Sequence, residues 1–285
     1  MSASVLTDSS WNRVGDILPS ALTEARLQLH HAAQIVVSAA ISYVPARPDD
    51  SHTALTWLSS VRALVSEPIT SATPLRIGVR VEDLTLLALD GALRPTGSFA
   101  LSGRKIAAAQ TWLGDAVAEA GLDRARLTQR KHYTIPAHPV ADGEPFSVGG
   151  AELAELARYW SNAGGLLEEI ARATPGASTV LTWPHHFDIA TLIELPSAGG
   201  EKRTIGVGQS PGDDSYAEPY WYVGPYPYPP ATDLPSLAGG GHWHTKGWMG
   251  AALPASVYVA AGDQRAQVTA FIDSSVAACR RLLGA

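Results

Sequence analysis

Two apolar segments joined by a short polar turn occupy residues 75–89, with the sequence LRIGVRVEDLTLLAL. In the first segment, apolar side chains alternate with polar or small ones at Leu75, Ile77, Val79 and Val81. This period of two predicts a β-strand with one solvated face. The second segment, 84–89, follows after only two residues, Glu82 and Asp83. We therefore expect the two strands to pair as an antiparallel hairpin.

The segments on either side of this hairpin extend the same architecture. Further strands are predicted at 98–101, 179–183, 188–195 and 203–208. Helical spacing predicts four helices, which start near Ala21, span 106–120, span 153–170, and start at Asp263 as N-cap. Beyond Gln34 the first of these patterns fits a helix or a strand equally well. Clustered strands flanked by helices predict an α+β fold with mainly antiparallel sheets and about four helices.

Two short motifs occur twice and raise the question of an internal repeat. Leu-Thr-Trp occurs at 55–57 and 181–183, an offset of 126 residues, and Ile-Gly-Val occurs at 77–79 and 205–207, an offset of 128 residues. Such short matches arise by chance as well as by duplication. We expect one compact domain over 1–285. If the repeat is real, its halves are 20–123 and 150–285, joined by a linker at about 124–149, and they share a crevice.

Composition limits the classes of partner and the compartment. The chain has 285 residues, a net charge of −6 and no run of basic residues, which argues against a nucleic-acid or anionic-membrane partner. No secretory signal or membrane-spanning segment is recognisable, and the single cysteine, Cys279, cannot form an internal disulfide. We expect a cytoplasmic protein with a small-molecule ligand. The sequence leaves the oligomeric state open.

Residues 196–254 stand out because 20 of these 59 residues are glycine or proline. The same segment is rich in tyrosine and tryptophan. It predicts a long functional loop, since long irregular segments inside compact domains commonly carry binding sites. Aromatic rings can stack on flat ligands while their polar tips form hydrogen bonds. The predicted ligand-binding residues are Trp183, Tyr216, Trp221, Tyr222 and Trp243.

Histidines at two places suggest a metal site. His242 and His244 would point the same way on an extended chain, so both could bind one ion, and the pair His185 and His186 could add a third ligand. Such a set suits Zn²⁺ or non-haem Fe²⁺. Carboxylates for ligand or general-base roles are predicted at Asp188, Asp213 and Glu218.

The favoured interpretation is a small-molecule enzyme, a metal-dependent hydrolase with its site under loop 196–254. The alternative is a non-catalytic protein that binds a sugar, nucleoside or aromatic ligand by stacking.

Two further patterns have less specific interpretations. Residues 208–212 match the G-x-S-x-G motif of serine hydrolases, with Ser210 followed in order by acids (Asp213, Asp233) and histidines (His242, His244). That motif requires a helix directly after the serine, whereas Pro211 and Gly212 predict a turn. A polar cluster in the first half consists of His30, His31, Asp49, Asp50 and His52. Its residues 49–52 are interpreted as a turn, with His52 as a weaker candidate for the site.

The order of these features resembles a bacterial family catalogued only as a domain of unknown function. The resemblance covers roughly 20–285 and rests on short motifs: Leu29-His30 with Gln34, His185–Ala190, Pro211–Asp213, Glu218-Pro219 with Tyr222, and Leu253-Pro254. The segment around His242–His244 is richer in histidine than the family pattern, and Trp183-Pro184 departs from it. The family has no assigned activity, so the resemblance implies an architecture and no reaction.

Overall fold

The computed structural model describes residues 11–196 and 202–285. Within these ranges the helices are α1 (Thr23–Tyr43), α2 (Ile106–Glu119), α3 (Gly150–Ala173), α4 (Ala255–Tyr258) and α5 (Gln264–Leu282). The first six strands are β1 (Thr56–Leu58), β2 (Ala63–Val65), β3 (Arg76–Arg80), β4 (Thr85–Leu89), β5 (Pro95–Ala100) and β6 (Leu181–Trp183). The remaining strands are β7 (Asp188–Glu194), β8 (Thr204–Ser210), β9 (Tyr220–Tyr226), β10 (His242–His244) and β11 (Gly250–Pro254).

The predicted α+β class is confirmed, with four long helices around two antiparallel sheets in the described residues. The open choice beyond Gln34 is settled in favour of a helix, because α1 continues to Tyr43. Almost every residue of α1 from Ala25 to Ala40 is buried. A helix buried on most sides has no polar face, so its sequence shows no clear period of 3.6 residues.

The predicted helix ends and the buried cysteine agree with the structure. Gly121 follows α2 with a φ of 82°, as a helix-terminating glycine does. The carboxylate of Asp263 accepts a hydrogen bond from the N–H of Ala266 at the start of α5. Cys279 lies on the buried side of α5, and burial raises the pKa of its thiol to about 12. No helix in the described part of the chain is long and apolar enough to cross a membrane.

The chain divides into two compact units. The N-terminal unit comprises Leu22–Ala157 and Leu181–Phe187, and the C-terminal unit takes its described residues from Met1–Ala21, Arg158–Val180 and Asp188–Ala285. The predicted linker, 124–149, falls inside the N-terminal unit. These units do not coincide with the predicted halves, and the internal repeat stays a prediction.

The sheet of the N-terminal unit is a meander in which β1 to β5 pair in chain order. The hairpin at residues 75–89 is confirmed, since β3 pairs with β4 and Gly78 lies opposite Leu87. Side chains from β1, β2 and β4 form a hydrophobic cluster: Leu58, Ala63, Val65, Leu87 and Leu89. Burial of these apolar side chains stabilises the meander.

The turn after β6 is held by side chains from α1. The carbonyl oxygen of Pro184 accepts hydrogen bonds from His30 Nε2 and Gln34 Nε2, both at 2.8 Å. The imidazole of His30 also stacks on Phe187, with ring centroids 4.4 Å apart and planes 4° apart. Phe187 has a φ of 62°, which bulky residues rarely adopt. These contacts join His30 and Gln34 of α1 to Pro184 and Phe187 on either side of the His-His pair.

In the C-terminal unit, strands β7 to β11 pair in the order β10-β11-β9-β8-β7, and α5 packs against β8, β9 and β11. The prediction of a long irregular loop over 196–254 is therefore wrong for part of that segment, because the strands β8 to β11 lie within it. Residues 197–201 lie outside the described residues. Gly206 and Gly208 lie in the predicted strand 203–208, which is confirmed as β8, whereas Pro225 lies in a strand, β9, that the sequence did not predict.

The two Leu-Thr-Trp tripeptides lie side by side within the N-terminal unit. The N–H of Leu55 donates to the carbonyl oxygen of Thr182 at 2.9 Å, and the N–H of Thr182 donates to that of Leu55 at 2.7 Å. This is an antiparallel pair in which each residue both donates and accepts.

Replacing His30 tests how the α1 contacts depend on pH. Burial lowers the pKa of His30 to about 4, whereas an unfolded histidine titrates near 6.5. Between these values the unfolded chain binds more protons, so the free energy of unfolding must fall as the pH drops from 6.5 to 4, by about 3 kcal/mol in total. Urea denaturation across this range measures the slope. His30→Gln should reduce the slope of the free energy of unfolding against pH by up to the amount that corresponds to one bound proton. Equal slopes in both proteins would contradict this prediction.

Candidate functional site

Strand β9 presents aromatic side chains on both faces of its sheet. Trp221 and Val223 are fully buried, whereas the alternating Tyr222 and Gly224 are partly exposed. Residues two apart on a strand lie on the same face, so Tyr220, Tyr222 and Gly224 share one face. This face carries the candidate site.

Glycines on the neighbouring strands make room for the aromatic rings. A Cβ at Gly208 would lie 2.6 Å from the hydroxyl oxygen of Tyr222, and a Cβ at Gly250 would lie 2.7 Å from Cζ3 of Trp248. Both distances are shorter than real Cβ contacts. The positions of Tyr222 and Trp248 therefore require glycine beneath them.

Two other glycines lie side by side with open space above them. Gly206 on β8 is the direct partner of Gly224 on β9, and both are partly exposed. A Cβ at Gly224 would meet nothing within 4 Å, and one at Gly206 would come only within 3.8 Å of the Gly224 carbonyl oxygen and 3.9 Å of the Tyr222 ring. We call this space the glycine trough. Tyr222 lies at its edge.

The rings of Tyr216, Tyr220, Tyr222, His244 and Trp248 lie close together, and we call this group the ring cluster. Trp248 stacks on His244, with centroids 4.2 Å apart and planes 16° apart. The centroid of Tyr220 lies 4.6 Å from that of Tyr216 and 6.3 Å from those of Tyr222 and Trp248. Contacts of this kind stabilise a fixed arrangement of rings.

Two hydroxyl groups of the ring cluster donate to carboxylates. Tyr220 donates to Asp213 Oδ2 at 2.6 Å, and Tyr222 donates to Asp188 Oδ2. Burial, followed by the charge of the neighbouring carboxylate, raises the pKa of both phenols well above the usual value. Both tyrosines are therefore protonated donors at neutral pH, and their rings are held in place by the carboxylates.

The third hydroxyl group, that of Tyr216, lies between two histidines. Its oxygen is 2.8 Å from His242 Nε2 and 3.0 Å from His244 Nδ1. The second nitrogen of His244, Nε2, lies 2.5 Å from the carbonyl oxygen of Lys246. A carbonyl oxygen only accepts, so Nε2 of His244 carries a proton, and in neutral His244 the other nitrogen must accept.

These assignments give the hydrogen bonds a single direction. Tyr216 donates to His244 Nδ1, so its oxygen accepts from the Nε2–H of His242. Burial and the nearby His244 lower the pKa of His242, which favours its neutral form. Burial raises the pKa of Tyr216. The result is a directed chain of three hydrogen bonds. A proton taken up at Nδ1 of His242 can pass through the Tyr216 hydroxyl to Nδ1 of His244, while the bond to the Lys246 carbonyl only orients His244.

Some predicted ligand-binding and catalytic residues lie elsewhere. Trp221 is fully buried on the opposite face of β9. Trp243 points away from its two histidine neighbours on β10 and donates to the carbonyl oxygen of Pro235 at 2.7 Å. Glu218 accepts hydrogen bonds from the N–H and hydroxyl of Ser256, at the start of α4. Trp221 therefore packs in the core, Trp243 bonds to the backbone, and Glu218 caps α4.

The predicted histidine pairs fall into different units. His185, which is half-buried, and the exposed His186 lie on the turn of the N-terminal unit, near Trp183. His242 and His244 approach a shared hydroxyl oxygen at hydrogen-bond distances, whereas Zn–N bonds are about 2.0–2.1 Å. In the described ranges no group of three or more His, Cys, Asp or Glu side chains is placed to hold a metal ion. The three-ligand set that the sequence suggested does not form there, and a zinc or iron cofactor stays a prediction.

The serine-hydrolase alternative lacks its structural context. Ser210 ends β8, no helix follows it, and its Oγ accepts a hydrogen bond from the N–H of Gly212. The carboxylate of Asp213 is bonded to Tyr220 and to two backbone N–H groups. The nucleophile-elbow interpretation is therefore wrong.

Four of the residues that build the site were missed as site residues: Tyr220, Trp248, Gly206 and Gly224. The first two were recognised only as members of an aromatic-rich segment. Treating 220–226 as a strand would have placed Tyr220 on the same face as Tyr222. No sequence signal connects Trp248 to this face, because its position depends on the register of β11 beside β9.

The N-terminal unit has a separate cleft of about 410 Å³ between its sheet and α2. Trp112 contributes to its wall. Three acidic residues line it: Asp90 and Asp115, which form ion pairs with Arg94 and Arg124, and Glu119.

No family model, curated protein or solved structure matches the chain in the comparisons made. The resemblance to an uncharacterised bacterial family therefore stays a prediction.

The direction of the hydrogen bonds around Tyr216 can be measured by ¹⁵N NMR of the imidazole nitrogens. We expect His242 and His244 both to be the Nε2–H tautomer at neutral pH. Tyr216→Phe removes the acceptor of His242 but leaves the Lys246 carbonyl in place for His244. Only His242 should then show a mixture of tautomers. An Nδ1–H tautomer of His244 in the unmodified protein would contradict the assignment.

Proposed function

We propose that the C-terminal unit binds a small, ring-bearing molecule in the glycine trough beside the ring cluster. The observation that supports this most directly is the pair Gly206 and Gly224, which face open space in two neighbouring strands. Glycine inside a strand is destabilising by roughly 0.5–1 kcal/mol relative to alanine. Two paired glycines with no side chain above them are therefore typical of a place where a ligand approaches the backbone.

The ring cluster supports the same proposal. Tyr222 borders the trough, and Trp248 and His244 form a stacked pair on the same side of the unit. Aromatic rings with fixed orientations recognise flat ligands by stacking. The hydrogen bonds from tyrosines to Asp188 and Asp213 fix two of these rings before any ligand arrives, which reduces the entropy lost on binding.

Filling the trough tests the proposal without damaging the fold. Gly224→Val places a β-branched side chain where a Cβ meets nothing, so stability should change by no more than about 0.5 kcal/mol. Binding of ring-bearing probes (adenosine, indole and methyl β-glucoside), observed by saturation-transfer NMR, should be lost. Gly262→Ala, also in open space but far from β9 in sequence, is the matched control and should bind normally. Probe signals that are equally strong in Gly224→Val would contradict the proposal.

A second candidate is catalysis by proton transfer, which one observation favours. The chain from His242 through Tyr216 to His244 has a defined direction and adjoins the ring cluster. Such a chain can supply general acid–base chemistry to a bound molecule. It requires no metal ion, unlike the hydrolase suggested by the histidine spacing.

Tyr216→Phe separates the two candidates once a probe that binds has been identified. The variant keeps the ring for stacking but interrupts proton movement between the histidines. If the site is catalytic, turnover of the bound compound should fall by roughly 10²–10⁴-fold while its dissociation constant stays the same. Measuring both in parallel decides the matter, and unchanged turnover would leave binding as the function.

A further inference from the structure

We propose that the cleft between α2 and the sheet of the N-terminal unit binds a small ammonium ion that carries an apolar ring. The cleft shares no lining residue with the glycine trough, so this is a second site, beyond the proposed function. Three features of the cleft support it: the space between small side chains, an aromatic wall, and an acidic lining at the carboxyl end of a helix.

Small side chains on both sides of the cleft leave its space open. On the sheet side, Gly97 of β5 lies directly opposite Ala88 of β4. A Cβ at Gly97 would lie 3.7 Å from Ala88 Cβ and 3.9 Å from Trp112 Cζ2, which are ordinary contact distances. On the helix side, Ala116 and Ala120 line the cleft. The volume of about 410 Å³ lies in the range of small-molecule sites.

One face of α2 forms the opposite wall. The residues of α2 that line the cleft have the spacing of a single helical face: Trp112, Asp115, Ala116 and Glu119. The indole of Trp112 is partly exposed. Its neighbour Phe99, with a ring centroid 6.0 Å away, does not line the cleft. Trp112 therefore presents part of its ring to the open space, where it can contact the apolar part of a ligand.

The charges on this face of α2 favour a cation. Asp115 and Glu119 are four residues apart, so their carboxylates are neighbours on the helix surface and repel each other. Glu119 is the last residue of α2, where the helix dipole makes a further negative charge unfavourable. The last turn of α2 contains no basic residue. Both acids thus occupy positions that lower the stability of the helix unless a cation lies near them.

Arginines from outside the cleft neutralise only part of this charge. Arg124 pairs with Asp115, and Arg94 pairs with Asp90, but neither arginine lines the cleft. Asp90 also accepts hydrogen bonds from two backbone N–H groups, so it mainly holds the turn after β4. Glu119 is exposed and has no ionic partner among the described residues. The ionisable side chains in the lining are all acidic, so a cation in the cleft meets a negative surface.

The test compares 2-phenylethylamine, which is protonated at neutral pH as a lysine side chain is, with 2-phenylethanol, a neutral analogue of nearly the same shape. The indole N–H signal of Trp112 in ¹⁵N NMR spectra of the full chain reports binding in the cleft. The amine should bind about five- to twentyfold more tightly than the alcohol, because two carboxylates and the helix dipole attract it. Phenylacetate, an anion, should leave the signal unchanged.

Glu119→Gln removes one charge at an exposed position and keeps the shape of the side chain. The amine should then bind about three- to tenfold more weakly, while the alcohol should bind as before. Glu144→Gln is the matched control, because it makes the same change at an exposed residue of the same unit outside the cleft. It should affect neither probe. Thermal unfolding of each variant shows whether it is folded.

Gly97→Val tests whether the probes occupy the cleft itself. The new side chain lies between Ala88 and Trp112, within the open space, so both probes should lose their binding. A β-branched residue is well suited to a strand, so the variant should remain folded.

Three results would overturn the inference. The first is equal affinity for the amine and the alcohol, or no response of the Trp112 signal to millimolar amine. The second is an effect of Glu144→Gln as large as that of Glu119→Gln. The third is binding that persists in folded Gly97→Val, since the probe would then lie elsewhere. The Gly224→Val experiment is independent of these results, because the glycine trough belongs to the other unit.

Discussion

The side chain of Tyr222 can lie across β8 only because Gly208 has no Cβ. The rest of the site depends on this absence. Moving Tyr222 would break its hydrogen bond to Asp188 and disturb its neighbours Tyr220 and Trp248. Gly250 has the same role beneath Trp248. The aromatic surface of the C-terminal unit thus requires glycines that are far apart in sequence and adjacent in the sheet.

The two clusters of polar and aromatic residues have different roles. In the N-terminal unit, His30 and Gln34 bind one backbone carbonyl and stabilise a turn with an unusual φ angle at Phe187. These contacts are structural. In the C-terminal unit, carboxylates and histidines fix the orientation of aromatic rings. The chemistry that the sequence suggested for individual residues is therefore used mainly to position other residues.

Much of the fold was predictable because it depends on local patterns. The alternation at 75–81 identified β3, and the cap at Asp263 identified the start of α5.

The site was harder to predict because its geometry depends on strand register. Asp188, Asp213, Tyr216 and Tyr222 were chosen from the sequence and meet in the structure, together with His242 and His244. Trp221 was chosen for its residue type, but alternation along β9 places it in the core. The strands β9 to β11 were missed because a high content of glycine and proline is found both in loops and in strands that pack closely against aromatic rings.

The pairing of the two Leu-Thr-Trp tripeptides has a consequence for how such a chain could arise. The offset of 126 residues carries Leu55 to Leu181 and Thr56 to Thr182. Exchanging the two copies therefore turns the pair Leu55–Thr182 into Thr56–Leu181, the position next to the observed bridge that continued antiparallel pairing would bring together. Antiparallel pairing of matching segments has the two-fold symmetry with which two identical subunits join edge to edge.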